Sequence, residues 1–307
     1  MSQGLDDLVS LLADAFTKLA MSKKDIKADC LAVLRTQYKL LQEWPTPSIK
    51  KADLGIIRSE VFEDSDSRVP NFFQPWSLGR LSSFEFDASD PEVAADVAIS
   101  YEIIDHGSYT LRKNGFPLSA RLRIIHECFI REVQVWPRES LGETHTLSFY
   151  TGWKFLELYA PKIKLDMRGG IDWECHGGWV KHGGKHPHIK AAMHSAIDVD
   201  DADELLRSEL LVVLGIMIER MQDESLKNHI IIPVMLFSFV GPRSGSVLTA
   251  YFDGQHLVVQ KTPIYFFPGS PNSDAMLEFV RRQAGGINRS LDTTRFPKPV
   301  GGVQVSV

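Results

Sequence analysis

Apolar side chains recur with helical spacing over the first part of the chain. Residues 4–20 and 22–43 place apolar positions three and four residues apart, which predicts two amphipathic helices. The proline-containing segment WPTPS at 44–48 ends this pattern. We therefore predict an N-terminal helical arm at residues 1–48, followed by an irregular connection at 49–90 that is rich in Pro, Ser and Asp.

The middle of the chain gives mixed patterns. The segment SDPE at 89–92 resembles a helix start, and the residues after it fit a helix or a strand. Residues 121–136 mix both periods, and their valines favour a strand at the end. The aromatic residues of 144–160 favour a helix. Three Gly-Gly pairs in residues 168–190 predict a long surface loop or lid.

The clearest patterns lie further along the chain. Residues 201–222 are apolar on nearly all faces, which predicts a helix buried on most sides. The apolar run at 229–241 predicts a strand buried on both faces. Asp253-Gly254 between two apolar segments predicts a β-hairpin, and residues 274–282 predict an amphipathic helix.

These elements define one main domain. The order helix, buried strand, hairpin and helix predicts a mixed α/β domain at residues 91–286, with helices against a central sheet. The polar residues 287–307 contain Pro and Gly, which predicts a loose C-terminal tail. The apolar content of 44% and the charged content of 24% are ordinary for a soluble globular protein.

Composition narrows the classes of partner and compartment. The formal net charge is -5, so the chain as a whole is not a polybasic nucleic-acid binder, although a local basic face stays possible. Cys30, Cys128 and Cys175 are few and far apart, which indicates a reducing compartment. The N-terminus lacks the pattern of a signal peptide, and no apolar stretch has membrane-spanning length. We therefore predict a cytoplasmic protein without membrane contact.

An acidic pentad, DDADE at 200–204, stands at the predicted start of the long apolar helix. Together with Asp198 it places five acidic groups within seven residues. Asp201 and Glu204 have the spacing of a capping box, and acids in a first helical turn complement the helix dipole. Capping uses one or two acids, so the excess is consistent with a compensating cation. That cation is a basic side chain, a guanidinium group, or Mg²⁺ or Ca²⁺ rather than Zn²⁺.

The predicted loop at 168–190 and the residues before it form the most basic part of the chain. With Trp173 and Trp179, these cations can contact phosphates and stack bases. Five histidines lie near Cys175, but their spacing favours a polar loop over a zinc site. The cations are Lys162, Lys164, Arg168, Lys181, Lys185 and Lys190, and the histidines are His176, His182, His186, His188 and His194. Ser238 stands near the end of the predicted buried strand, where a strand presents side chains at its carboxyl edge.

The pentad opens a longer recognisable stretch at residues 200–267. The stretch continues with LLRSELLVVLGIMIERM, HIIIPVMLFSFVG and SVLTAYFDGQHLVV. It resembles a fungal family of arginine-containing cyclodipeptide synthases, whose motif is DDxxE. The resemblance implies that the motif falls on Asp200, Asp201 and Glu204, with a variable pair between them. It also implies an α/β fold with a Rossmann-like central sheet, related to class I aminoacyl-tRNA synthetases.

The resemblance further implies an activity in secondary metabolism. Such an enzyme condenses arginine from arginyl-tRNA with a second amino acid from another aminoacyl-tRNA, and closes them into a cyclo(Arg-Xaa) diketopiperazine. It uses no ATP, other cofactor or metal, because the aminoacyl ester already carries the activation. A pocket that selects arginine needs fixed carboxylates near an apolar wall. Glu204 is a candidate base for the attacking amine.

Two other classes of function stay open. A metal-dependent nuclease of the restriction type also places acids before an apolar strand and hairpin, but Gln260-Lys261 lacks the acid expected before the lysine. In a non-enzymatic binding protein, the acids of the pentad would only cap the helix.

Overall fold

The structure is a computed structural model. It describes residues 23–56, 59–85, 90–106, 118–141, 145–156, 173–197, 204–241, 243–268 and 273–296, of which 103–106, 118–122 and 176 are described by their main chain only. The helices are α1 (Lys23–Gln42), α2 (Leu78–Leu81), α3 (Pro91–His106), α4 (Leu118–Gln134), α5 (Leu147–Thr151), α6 (Arg207–Gln222) and α7 (Asp274–Ala284). The strands are β1 (Ser48–Ile49), β2 (Ser59–Glu63), β3 (Phe73–Gln74), β4 (Trp153–Leu156), β5 (Trp173–Lys181), β6 (Ile189–Ser195), β7 (Leu205–Leu206), β8 (Val234–Val240), β9 (Ser244–Phe252), β10 (Leu257–Lys261), β11 (Tyr265–Phe266) and β12 (Gly286–Ile287).

A mixed sheet of eight strands forms the centre of the described chain. Its order is β2-β10-β9-β8-β6-β5-β4, and β11 pairs with β9 beside this row. The pairs β2–β10 and β6–β8 are parallel, whereas the other neighbours are antiparallel. Helices cover both faces of the sheet, so the predicted mixed α/β fold is confirmed.

Each face of the sheet has its own hydrophobic core. On one face, α6 contacts both α1 and β8, which explains why its sequence is apolar nearly all round. On the other face, α4 and α7 pack on the sheet through aromatic rings. The ring centroids of Phe129 and Phe237 lie 4.8 Å apart, and those of Phe237 and Phe279 lie 5.7 Å apart. The continuous burial of β8 follows from its position between these two layers.

Elements with strong local signals agree with their predictions. Helices α1 and α7, the buried strand β8 and the hairpin β9–β10 all form where the pattern indicated. Helix α3 begins at Pro91, and Asp90 Oδ1 accepts a hydrogen bond from the main-chain N–H of Glu92 at 2.9 Å. The ambiguous segment after SDPE is therefore a helix.

The expected strand near residues 121–136 is wrong, because this segment is helix α4. Ile125, Phe129 and Val133 recur every four residues and form its buried face against the sheet. Of the valines that favoured a strand, Val133 lies on this face, whereas Val135 follows the helix and is exposed. Tertiary packing has overridden a weak local preference.

The helix expected at 144–160 is also largely wrong, since α5 ends at Thr151 and β4 follows at Trp153. Gly152 separates the two elements with φ +68°, a conformation that favours glycine. Strand β4 is held by antiparallel pairing with β5, a partner distant in sequence. Pairing of this kind leaves no periodic signal in a short segment.

The predicted loop at 168–190 contains strand β5, so the loop prediction is wrong over 173–181. Gly177 stands at a bulge in this strand, where a Cβ atom would lie 2.3 Å from the ring of Phe155. Its glycine thus permits close packing rather than a turn. Gly183 and Gly184, with φ +89° and +65°, do form the turn after β5.

Helix α6 begins at Arg207 instead of residue 201. Leu205–Leu206 are extended because they pair with Ser48–Ile49 as strand β7. The capping box uses Glu209, whose Oε2 accepts from the main-chain N–H of Leu206 at 2.9 Å. The predicted capping box of Asp201 and Glu204 is therefore wrong for this helix.

Two further segments show how the ends of the predicted domain connect to it. Strand β2, within the predicted connection, forms an edge of the central sheet beside β10. The carbonyl of Thr293 in the predicted tail accepts the N–H groups of Ile230 and Ile231 at 3.0 and 3.1 Å. The domain boundaries stay predictions, and residues 4–20 of the predicted arm lie outside the described residues. None of the described helices is both long and apolar enough to cross a bilayer.

Candidate functional site

The carboxyl ends of four strands meet at one edge of the central sheet. Strands β6 and β8 are parallel, β10 has the same direction because β9 is antiparallel to both β8 and β10, and β2 is parallel to β10. Their last residues are Ser195, Val240, Lys261 and Glu63. In open α/β sheets, ligands bind outside the carboxyl ends of the strands. This edge is therefore the natural place for a site.

The acidic segment, defined as residues 198–204, connects β6 to β7 and α6 at this edge. Ile197 is the last described residue before it, and its carbonyl accepts the N–H of Gly241 at 3.2 Å. Gly241 directly follows β8. The described chain thus reaches the ends of the two parallel strands at Ile197, directly before the acidic segment.

Glu204 is the one predicted site residue that the structure describes. It is half-buried, and its carbonyl oxygen accepts a hydrogen bond from Lys261 Nζ at 2.5 Å. Lys261 is 7% exposed, so its ammonium group is largely removed from water. Asp200 and Asp201 lie outside the described residues, so their distance to Glu204 is not given by the structure.

The main chain just after Glu204 is fixed by the chain near the end of α1. The N–H of Arg207 donates to the carbonyl of Pro47 at 2.8 Å, and its guanidinium donates to the carbonyl of Trp44 at 2.6 Å. Leu205 and Leu206 are fully buried between these contacts and the core. The main chain of Glu204 is therefore anchored on both sides, by Lys261 and by the contacts of Arg207.

Three buried serines lie near the same edge, on the face covered by α1 and α6. Ser238 on β8 pairs directly with Ser246 on β9, and Ser195 ends β6. Within the described part of the chain, Ser238 Oγ has no hydrogen-bond partner. Buried hydroxyls are nearly always hydrogen-bonded, so Ser238 marks a polar spot in an otherwise apolar layer.

The opposite face of this edge holds two buried histidines. The ring centroids of His126 and His194 lie 5.8 Å apart, and His126 stacks on Phe239 at 5.4 Å. Among the side chains that the structure describes, no three His, Cys, Asp or Glu residues converge on one point. The side chain of His176 is outside that set.

Charges beside the end of β2 are paired with one another. Arg282 donates to both oxygens of Asp64 at 3.0 and 2.6 Å, and its Nε donates to Glu278. Burial by itself lowers the pKa of Arg282, but the hydrogen bonds and charge of Asp64 outweigh it and raise that pKa. Burial and the charge of Glu278 raise the pKa of Tyr265. This network shows how carboxylates of the protein hold a guanidinium group in two-pronged contact.

The expectation that the basic stretch stacks bases through its tryptophans is wrong. Trp173 and Trp179 are buried in the two cores, on opposite faces of the sheet. Lys190 is also buried, and its Nζ donates to three carbonyls at the end of α7. Lys162, Lys164 and Arg168 lie outside the described residues.

Ser195 and Ser246 were not found by sequence reasoning, and Lys261 was considered only as the lysine of a nuclease motif. Strands β6, β9 and β10 each contain further polar residues, so no local pattern set these three apart. Comparisons of the chain with protein-family models, with characterised proteins and with solved structures found no match.

Proposed function

We propose that the protein is an arginine-containing cyclodipeptide synthase that uses arginyl-tRNA and a second aminoacyl-tRNA. The observation that carries the proposal is the position of the described residues on either side of the acidic segment. Ile197 follows β6 and accepts the N–H of Gly241 after β8, and the carbonyl of Glu204 accepts a hydrogen bond from Lys261 at the end of β10. The unit β6–α6–β8, two parallel strands joined through a helix, is the part of the sheet that a Rossmann-like interpretation would use.

Capping of α6 does not account for the acids. The carboxylate that caps this helix is that of Glu209, which accepts the N–H of Leu206. Glu204 instead precedes the strand Leu205–Leu206. Five acids within seven residues repel one another unless a cation approaches. A guanidinium group satisfies this need, because paired carboxylates bind its planar fork through charge-assisted hydrogen bonds. The contact of Arg282 with Asp64 is an example within the same chain.

The proposed reaction needs orientation more than new activation. The amine of one aminoacyl group attacks the ester carbonyl of the other, a C–N bond forms, and the tRNA hydroxyl leaves with a proton. A second such attack closes the ring and releases the second tRNA. Glu204 is the proposed base for the attacking amine, and Asp200 and Asp201 are proposed to bind the guanidinium.

Expression in a heterologous host, with mass spectrometry of extracts, tests the proposal. Wild type is expected to give a new arginine-containing diketopiperazine, and Asp201→Asn and Glu204→Gln are expected to abolish it. Asp203→Asn is the matched control, since it removes one charge from the variable pair of the motif and is expected to retain product. Product from both Asp201→Asn and Glu204→Gln, with wild-type yield, would exclude the assignment.

The same protein preparations distinguish the two other classes. Mg²⁺-dependent cleavage of DNA or RNA by the purified protein, abolished by the same substitutions, would indicate a nuclease. A melting temperature that does not respond to arginine, to divalent metals or to aminoacyl-tRNA would indicate that the acidic segment binds none of them.

A further inference from the structure

A cavity lies at the opposite edge of the sheet from the acidic segment's flanking residues, Ile197 and Glu204. It has a volume of about 670 Å³, and Lys181 at the end of β5 forms part of its wall. Val180 pairs with Ile189 at the start of β6, whereas the acidic segment follows Ser195 at the end of that strand. Six residues of β6 separate Ile189 from Ser195, so the two ends of this strand are about 20 Å apart. The cavity is therefore distinct from the proposed synthase site.

Two cations line this cavity, and none of the lining residues that the structure describes is acidic. Lys181 Nζ lies 4.4 Å from the ring centroid of Trp153 and donates to the carbonyl of Thr151 at 2.6 Å. The guanidinium of Arg80 lies 4.1 Å from the ring centroid of Trp76. Within the described part of the chain, no carboxylate forms an ion pair with either cation.

Burial makes Lys181 unusual among the lysines of this surface. Its side chain is half-buried, and burial, followed by the nearby charge of Arg289, lowers its pKa to about 8. The same cluster of positive charge contributes to the lowered pKa of His186, after burial. A partly desolvated cation without a carboxylate partner gains most from an anion that enters the cavity.

Two aromatic residues, Trp76 and Tyr150, also line the cavity, and Phe84 packs against both of their rings. The ring centroid of Phe84 lies 5.0 Å from that of Trp76 and 5.1 Å from that of Tyr150. Tyr150 keeps 50% of its surface exposed although it belongs to this cluster. An exposed ring of this kind offers a stacking surface for a planar group.

We propose that this cavity binds a nucleotide, with its phosphate at Lys181 and Arg80 and its base against Tyr150. The volume is in the range of small-molecule sites, which is roughly 300–1,000 Å³, and is far larger than a single inorganic anion needs. Two sources share this chemistry: a free mononucleotide, and the end of a single-stranded RNA. The proposal does not depend on the synthase activity, because none of its residues belongs to the acidic segment.

Calorimetric titration of the full chain with AMP tests the proposal. AMP is expected to bind at least tenfold more tightly than adenosine or inorganic phosphate alone. Adenosine lacks the phosphate that contacts the two cations, and inorganic phosphate lacks the base that stacks on Tyr150. Arg80→Gln, Lys181→Met and Tyr150→Leu are each expected to weaken AMP binding by tenfold or more. Lys154→Met is the matched control, since this lysine is exposed on the neighbouring strand β4 and does not line the cavity.

Several outcomes decide the question. Absence of AMP binding, or AMP binding that is unchanged in both Arg80→Gln and Lys181→Met, would overturn the proposal. If Lys181→Met does not fold, as judged by circular dichroism, Arg80→Gln at its exposed position carries the test. A short oligoadenylate that binds tenfold more tightly than AMP would identify an RNA end as the ligand, whereas equal or weaker binding would identify a free nucleotide.

Discussion

The two edges of the central sheet carry opposite charge. At the carboxyl edge, the acidic segment ends at Glu204, and the buried cation Lys261 is engaged by a main-chain carbonyl. At the opposite edge, Lys181 and Arg80 line a cavity wall whose described residues include no acid, beside exposed aromatic surface. Under the two proposals, one scaffold binds a cation at one end and an anion at the other, and the full length of a strand separates the two charges.

The largest effect on stability is expected from a substitution of Lys190, which is buried near the opposite edge of the sheet. Its buried ammonium donates to the carbonyls of Arg282, Gln283 and Gly285, which end helix α7. Lys190→Met leaves these acceptors without their donor and is expected to lower the free energy of unfolding by roughly 3 kcal/mol. Urea unfolding measures the change. A loss as small as that of the exposed control Lys154→Met would show that the carbonyls find other donors.

The next effect concerns acid stability at the same edge. His188 is buried beside Phe73, with ring centroids 5.5 Å apart, and burial followed by nearby positive charges lowers its pKa to about 3. The unfolded chain takes up this proton near pH 6.5, so stability falls as the pH decreases from there toward 3. Between pH 7.5 and pH 5, the loss due to His188 is about 2 kcal/mol.

His188→Leu removes this titration, and the exposed control His182→Leu does not. Urea unfolding at both pH values measures the difference. An equal pH dependence in wild type and His188→Leu would show that this histidine is protonated in the folded protein.

A third effect tests the nucleotide cavity by pH. Lys181 loses its proton above its lowered pKa of about 8, and a bound anion then loses a positively charged partner. The affinity for AMP is therefore expected to fall about tenfold between pH 7 and pH 9. Lys181→Arg should remove most of this decrease. A decrease that persists in Lys181→Arg would assign the pH dependence to another group.

The smallest effect concerns the carboxyl edge. Lys261→Met removes one hydrogen bond to the main chain of Glu204 and is expected to lower the free energy of unfolding by about 1 kcal/mol. The product yield should fall more than this change in stability explains, because the position of Glu204 relaxes. A variant of full yield would show that the lysine does not position the acidic segment.

Local sequence signals were sufficient to predict an element where adjacent residues determine its start or its turn. Asp90 before Pro91 marks the start of α3, and Asp253-Gly254 marks the β9–β10 turn, because capping and turn formation involve only neighbouring residues. They were insufficient for β4, β5 and α4. Those segments are defined by partners distant in the chain, such as the pairing of Trp153 with Lys181.

The candidate site also combines residues that the sequence revealed with residues that only the fold brings to the same place. The acidic segment was visible in the sequence because five charges within seven residues stand out against a segment rich in apolar residues. The positions of Lys261 and Ser195 at this edge were not visible, because strand pairing brings them there and no local pattern encodes it. The nucleotide cavity was missed for a stronger reason, since Arg80, Tyr150 and Lys181 come from three separate elements or turns.

By itself, the sequence determined the mixed α/β composition, the deep burial of α6 and β8, and the concentration of acid at 198–204, since periodicity and charge density are properties of adjacent residues. Only the tertiary structure decided which strands are neighbours, that Glu204 precedes a strand instead of capping a helix, and that Trp173 and Trp179 are buried. Strand pairing and layer packing join residues far apart in the chain, and no local pattern encodes their distance.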